Sequence, residues 1–298
     1  MDDIEVLVIS DGSTDSTVLI AREYERSYPN TFHVIEKENG GYGSTVNRGI
    51  LEAQGSYFKI LDGDDWINGT ALAKLVQKLK ESQSDMFFMP KLKIIEGVGE
   101  ESDFIEFKVR NDGAIRIDEL EKLVGHWNMT VRTVLLKKNM KQLPEHTLYT
   151  DQLFVIQSIA LCKSFEFFNE PVYCYRVGHD GQSVTKASRI AHLDDAIVVT
   201  ELENELFEEF QQKIPNNVKK YLERRVAIYY SNLVRTCLLA GPSSSGKSQL
   251  IDIEKKAEIE CLRIFELAGE CSGRVKLLRV TRYHSYWILS LLTRNSWA

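Results

Sequence analysis

The 298-residue chain is 43% hydrophobic and 27% charged, with a formal net charge of -6. These values suit a globular protein and argue against a disordered chain or a general nucleic-acid binder. The five cysteines form no Cys-x-x-Cys pair, which speaks against a disulfide framework or zinc site and for reduced thiols. With no signal peptide and no apolar run of the roughly 18 residues that span a bilayer, a cytoplasmic location is expected.

Residues 4–9 (Ile-Glu-Val-Leu-Val-Ile) are a nearly continuous run of branched apolar residues and predict a buried parallel strand. Residues 10–16 supply a turn and helix-capping side chains, and an amphipathic helix over 17–28 stops before Pro29. A second strand is expected at 32–35 and a glycine-rich turn at 39–44. A helix over 45–53, ended by Gly55, then leads to a third strand at 57–61. This alternation is the pattern of a parallel sheet covered by helices. Further along, helices are expected at 70–82, 119–125 and 151–161, and strands at 86–89, 131–136 and 171–176. Residues 92–109 read as antiparallel excursions, and 178–183 as a polar loop. Beyond about residue 188 three long helical patterns follow, at 192–213, 217–239 and 247–267. The expected division is an α/β domain over 1–188 and a helical region over 189–298.

The third strand runs into Asp62-Gly63-Asp64-Asp65-Trp66, three carboxylates within four positions. In open α/β sheets the C-terminal edge of the strands is where ligands bind. Crowded carboxylates repel, and a hard divalent cation completed by substrate phosphate oxygens would offset that repulsion. A solvated acidic turn is the other reading of an isolated Asp-x-Asp.

The signals also fall in a fixed order. Asp11-Gly12-Ser13-Thr14-Asp15 follows the first strand, and Asn39-Gly40-Gly41 with Asn47-Arg48 precedes the third. The acidic triplet comes next, then Thr150-Asp151 opening a helix, then Tyr175-Arg176 with Gly181-Gln182-Ser183. Over about residues 4–185 this set resembles the family 2 glycosyltransferases, inverting nucleotide-sugar enzymes of the GT-A fold. The resemblance implies an α/β fold with a mostly parallel sheet sandwiched by helices, followed here by the α-helical C-terminal region. It implies transfer of a sugar from a nucleotide-diphosphate donor, UDP-linked by preference, to a saccharide or lipid-linked acceptor in bacterial surface polysaccharide synthesis. By the same resemblance Asp11, Asn39, Gly40, Asn47, Arg48 and Asp62 hold the nucleotide-sugar. Arg176 and Gln182 belong to a loop near its diphosphate. Asp64 and Asp65 bind Mn²⁺ or Mg²⁺, and Asp151 is the general base. His126 and Trp127 either line the acceptor site or pack in the core.

Two features depart from the family pattern. Its members usually begin with one more strand and helix, roughly 30 residues, and Ser10 stands where an aspartate is frequent. The absence of that first strand would leave a neighbouring strand unpaired, and a catalytically impaired relative acting as a binding or assembly protein is the alternative. Residues 241–248 (Gly-Pro-Ser-Ser-Ser-Gly-Lys-Ser) match the P-loop pattern. They follow a helical pattern where a P-loop needs a strand, so a connector between helices is expected. The tail over 274–298 is basic, aromatic and free of acids. It reads either as a contact with the anionic inner face of the cell membrane or as a docked last helix with solvated charges.

Overall fold

The apolar run near the start pairs as a strand, β1 (Val6–Asp11), in the computed structural model, which describes residues 3–95, 99–103, 113–120, 122–178 and 185–295. The chain divides into two units, Met1–His179 and Asp180–Ala298. In the first, β1 is followed by α1 (Thr17–Ser27), β2 (Phe32–Lys37), α2 (Gly41–Glu52), β3 (Tyr57–Phe58), β4 (Trp66–Ile67) and α3 (Gly69–Glu81). Then come β5 (Met86–Phe88), β6 (Lys91–Ile95), β7 (Gly99–Asp103), β8 (Met129–Arg132), α4 (Thr133–Asn139), α5 (Asp151–Leu161), β9 (Phe165–Phe167) and β10 (Tyr173–Val177).

The architecture is α/β with mixed ladders, where the sequence pattern predicts a mostly parallel sheet. Parallel pairs join β1 to β2, β6 to β10 and β5 to β9. Antiparallel pairs join β3 and β5 to β8, β4 to β10 and β6 to β7. The order β3-β8-β5-β9 makes one sheet and β4-β10-β6-β7 another, while β1 and β2 form a ladder of their own. The antiparallel pairing of β6 with β7 falls where antiparallel excursions are expected, over residues 92–109.

The core centres on β5, where Met86, Phe87 and Phe88 have no exposed surface. Ala71 and Leu75 of α3 pack there with Phe87, Met89 and Val172. The consecutive residues Leu153 to Ile159 of α5 are all buried, so this helix is internal on every side, with the polar Gln157 and Ser158 among the buried residues.

Several boundaries shift for identifiable reasons. The glycine-rich turn expected at 39–44 supplies the first turn of α2, because Asp11 caps it from β1 by accepting the N–H groups of Gly40 and Gly41 at 2.9 and 2.8 Å. Gly43 lets that turn approach the following loop: a Cβ there would lie 2.2 Å from the Pro144 carbonyl oxygen. The third strand ends at Phe58, since Lys59 turns away to donate to the carbonyls of Trp127 and Met129 at 2.8 and 3.2 Å. No α-helix forms among the described residues of 119–125; only a 3₁₀ turn, Ile117–Glu119, precedes them. The strand expected at 131–136 is β8 followed directly by α4, whose start is tied by the Thr133 N–H to the Ser56 carbonyl at 3.1 Å. The loop expected at 178–183 lies outside the described residues beyond Gly178.

The second unit is helical: α6 (Lys186–Ala191), α7 (Leu193–Phe210), α8 (Asn216–Leu239), α9 (Ser244–Glu260), α10 (Leu262–Cys271), α11 (Gly273–Val280) and α12 (Tyr286–Asn295). The pattern over 247–267 breaks at Cys261, whose φ of -144° ends α9. The P-loop-like residues connect α8 to α9. Gly241 turns the chain at φ +114°, and the Ser243 hydroxyl accepts the Gly246 N–H at 3.0 Å as the N-cap of α9. A helix therefore stands where a P-loop has its strand.

A buried charge network fastens α9 to α11. Glu254, with no exposed side-chain surface, accepts from Arg279 Nε at 2.6 Å and Nη2 at 2.9 Å, and from the Tyr230 hydroxyl at 2.7 Å. Removing one member of such a pair leaves a buried charge unpaired. Arg279→Met is expected to destabilise the protein by about 3 kcal/mol in urea unfolding, and adding Glu254→Gln should recover part of that loss.

Candidate active site

The acidic segment lies between β3 and β4, at the end of the third strand. A turn closes it through the Asp65 N–H to the Asp62 carbonyl at 3.2 Å. β10 holds this turn from the side. The Tyr173 hydroxyl donates to Asp65 Oδ2 at 2.5 Å, and the Arg176 backbone N–H donates to Asp65 Oδ1 at 2.7 Å. The same hydroxyl accepts the Asp62 N–H at 3.2 Å. Burial raises the Asp65 pKa against these hydrogen bonds, and the charges of Asp64 and Asp62 add to the rise. Both oxygens of Asp65 thus serve the frame, whereas Asp64 is exposed.

Opposite this turn lies His126, 4% exposed, in a 3₁₀ turn before β8. Its Nε2 is 2.9 Å from Asp62 Oδ2, and its Nδ1 is 3.8 Å from Asp151 Oδ2. Burial by itself favours a neutral ring, but the carboxylates of Asp151 and Asp62 outweigh it and lift the pKa to about 9. The imidazole thus sits between two carboxylates that lie 89 positions apart in sequence, hydrogen-bonded to Asp62 and within ion-pair but not hydrogen-bond distance of Asp151. Asp151 stands at the start of α5, where the helix dipole favours a negative charge. Gln152 Nε2 donates to the same Oδ2 at 2.6 Å.

Aromatic rings enclose the cluster. The Tyr42 ring, from the first turn of α2, is 6.1 Å from that of His126, and its hydroxyl is buried. Burial and the charges of Asp62 and Asp151 raise its pKa. Trp127 stacks on Tyr175 at 5.3 Å with planes 15° apart, and Lys91 Nζ lies 5.0 Å from the Trp127 ring centroid. Gly125 makes room for this ring, since a Cβ there would sit 2.5 Å from it. Burial also pushes the Lys59 ammonium down to about 7.

Of the residues singled out from sequence, Asp62, Asp65 and Asp151 are joined through His126, Tyr173 and the Arg176 backbone. Asp11 sits at the N-terminus of α2, paired with Lys37 at 2.5 Å, and Asn39 Nδ2 donates to its carbonyl at 2.9 Å. Asn47 exchanges two hydrogen bonds with the Leu143 backbone, at 2.9 and 2.8 Å, so it clasps the loop after α4. Arg48 pairs with Glu52 one turn along α2 at 2.7 Å. Neither makes a contact with the acidic cluster among the hydrogen bonds and ion pairs described. Gln182 lies outside the described residues. Tyr42, Tyr173 and Lys59 carry no motif, and only the packing of α2, β10 and β8 on the acidic turn reveals them.

Among the described residues no group of three or more His, Cys, Asp or Glu side chains is arranged to hold a metal ion. The oxygens of the turn nonetheless suit a hard divalent ion of the kind held by one or two carboxylates plus substrate phosphates. Asp64 is the carboxylate that the frame leaves accessible.

Comparison with known proteins bears on the whole arrangement. The glycosyl transferase family 2 model matches residues 1–143. The poly(ribitol-phosphate) beta-glucosyltransferase of Bacillus spizizenii is 31% identical over 189 residues, covering 62% of this chain and 29% of that protein. The poly(ribitol-phosphate) beta-N-acetylglucosaminyltransferase TarS of Staphylococcus aureus is 26% identical over 189 residues, covering 62% of this chain and 32% of TarS. The chain thus spans about a third of the length of these two relatives. A crystal structure of S. aureus TarS 1-349 in complex with UDP-GlcNAc superposes with a TM-score of 0.70 at 19% identity, covering 98% of this chain and 83% of that one. That likeness is one of fold, and it extends through the helical unit. Residues 1–143 thus match the model of family 2 of the glycosyl transferases, and the fold is GT-A-like.

Proposed function

We propose that the protein transfers a sugar, with inversion, from a UDP-linked donor to a saccharide or polyol-phosphate acceptor of a bacterial surface polymer. The observation that carries this reading is the Asp62–His126–Asp151 bridge beside the exposed carboxylate of Asp64. The curated relatives, named as poly(ribitol-phosphate) glycosyltransferases, and the UDP-GlcNAc complex of TarS support the choice of donor and acceptor class.

On this reading Asp62 would face the donor ribose, and Asp64 is the residue that would hold Mn²⁺ or Mg²⁺ together with the donor diphosphate. The ion supplies charge neutralisation for the departing nucleoside diphosphate. Asp151 takes the proton of the acceptor hydroxyl at Oδ1, since Oδ2 already faces Gln152 and His126. A base on one face of the sugar and a leaving group on the other make a single displacement, and hence inversion. His126 is a positioning residue: it lies between Asp62 and Asp151 and holds the Asp62 carboxylate through Nε2. Tyr173 and the Arg176 backbone hold the turn that carries Asp64 by engaging both oxygens of Asp65. Residues 1–188 form the catalytic domain in this proposal, with 189–298 as the helical region.

Calorimetric titration with UDP and Mn²⁺ should show binding that Asp64→Ala weakens at least ~tenfold and that EDTA abolishes in the wild type. Asp151→Asn is expected to bind UDP as the wild type does while transfer falls by ~10²- to 10⁴-fold. Full transfer by that variant would refute the base assignment. His126 has a folded pKa near 9 against an ordinary value of 6.5, so its stabilisation is fully present below about pH 6.5 and disappears as pH rises through 9. The melting-temperature gap between wild type and His126→Gln, worth at most about 3 kcal/mol, should therefore close between those pH values.

A further inference from the structure

α12 is packed inside out. It buries Tyr286, Leu289, Ser290 and Thr293, and its opposite face exposes Trp287 (40%), Ile288 (64%), Leu291 (53%) and Leu292 (56%). The inward face is fastened by hydrogen bonds: the Tyr286 hydroxyl donates to the Gly241 carbonyl at 2.9 Å, and Ser290 Oγ donates to the Leu238 carbonyl at 2.7 Å. Tyr286 also fills the space beside Gly246, where a Cβ would sit 2.8 Å from its hydroxyl oxygen. A surface helix ordinarily turns its apolar stripe to the core and its polar face to water. Here three of the four buried positions carry hydroxyls, and three of the four aliphatic side chains Ile288, Leu289, Leu291 and Leu292 face out.

The charge around this face has one sign. Arg282 precedes the helix and Arg294 closes it, both exposed, and Lys186 Nζ donates to the Arg294 carbonyl at 2.8 Å. From residue 272 to residue 295 there is no Asp or Glu, although the whole chain carries -6. At 10 residues α12 is about 15 Å long, half a bilayer core, so it can lie in an interface but not cross it. Among the described residues no helix is long and apolar enough to cross a membrane.

We infer that the exposed face of α12 docks on an anionic lipid surface, with Trp287, Ile288, Leu291 and Leu292 entering the headgroup boundary and Arg282 and Arg294 engaging lipid phosphates. Buried apolar area plus attraction to anionic headgroups is what drives such shallow binding. A second copy of the chain fits less well, because an isologous contact would bring the arginines of both copies together with no acid in the segment to neutralise them. This contact is independent of the catalytic reading.

The test is sedimentation of the full 298-residue protein with vesicles of phosphatidylglycerol and phosphatidylcholine, and with phosphatidylcholine alone. Binding should require the anionic lipid and weaken with salt. Ile288→Ser combined with Leu291→Ser and Leu292→Ser should lower it by at least about tenfold. Arg282→Gln with Arg294→Gln should lower it on anionic vesicles. These side chains are exposed, and an unchanged circular dichroism melt verifies that the variants fold. No binding to either vesicle, equal binding to both, or full binding by the triple-serine variant overturns the inference. So does light scattering that shows a dimer which the triple-serine variant dissociates.

Discussion

Burying an imidazolium is costly unless it is paired, and the carboxylates near the two nitrogens of His126 raise its pKa against that burial. The rest of the site depends on that arrangement. Without the cation, Asp62 and Asp151 would face each other across a space walled by Tyr42, Trp127 and Tyr173, where like charges repel strongly. With it, the acidic turn after β3 and the first turn of α5 are tied to one side chain, so two distant parts of the chain share one geometry. The 3₁₀ turn that carries His126 is itself fixed by packing, through Gly125 beneath the Trp127 ring and Asn128 donating to the Met89 carbonyl at 3.0 Å.

Around this bridge the frame is polar and short-ranged. Asp65 is spent on Tyr173 and the Arg176 N–H, while Asp64 beside it is exposed. Asp11 is spent in a comparable way, capping α2 while paired with Lys37, and burial is outweighed by these donors so that its pKa falls. Two of the aspartates that look most ligand-like in sequence are thus first of all structural acceptors. The capped α2 in turn holds Tyr42 beside His126.

The helical unit follows a different logic. Glu254 and Arg279 are buried as a pair with the hydroxyl of Tyr230, which links α8, α9 and α11. Glycines in the α8–α9 connector answer to local demands, a left-handed turn at Gly241 and the Tyr286 ring against Gly246. A phosphate-cradling pattern therefore arises from helix packing. α12 closes this corner with its hydroxyl residues inward, and it is this inversion that turns an apolar face to the outside.

From the sequence alone, the alternation of branched apolar runs with amphipathic stretches determined the α/β class and the helical C-terminal region, because those periods reflect burial on one side or on all sides. The ordered acidic and glycine motifs also carried the resemblance to the family 2 glycosyl transferases, whose model matches residues 1–143. Only the tertiary structure decided the mixed strand pairing, the early start of α2 and the early end of β3, all set by partners far away in sequence such as Asp11 and the Trp127 carbonyl. It alone joined His126 to Asp62 and Asp151, and it alone separated Asp64, left to solvent, from Asp65, held by β10. Local sequence encodes period and propensity, but the charge state of a buried ring and the partner of a carboxylate depend on which distant groups the fold brings within about 4 Å.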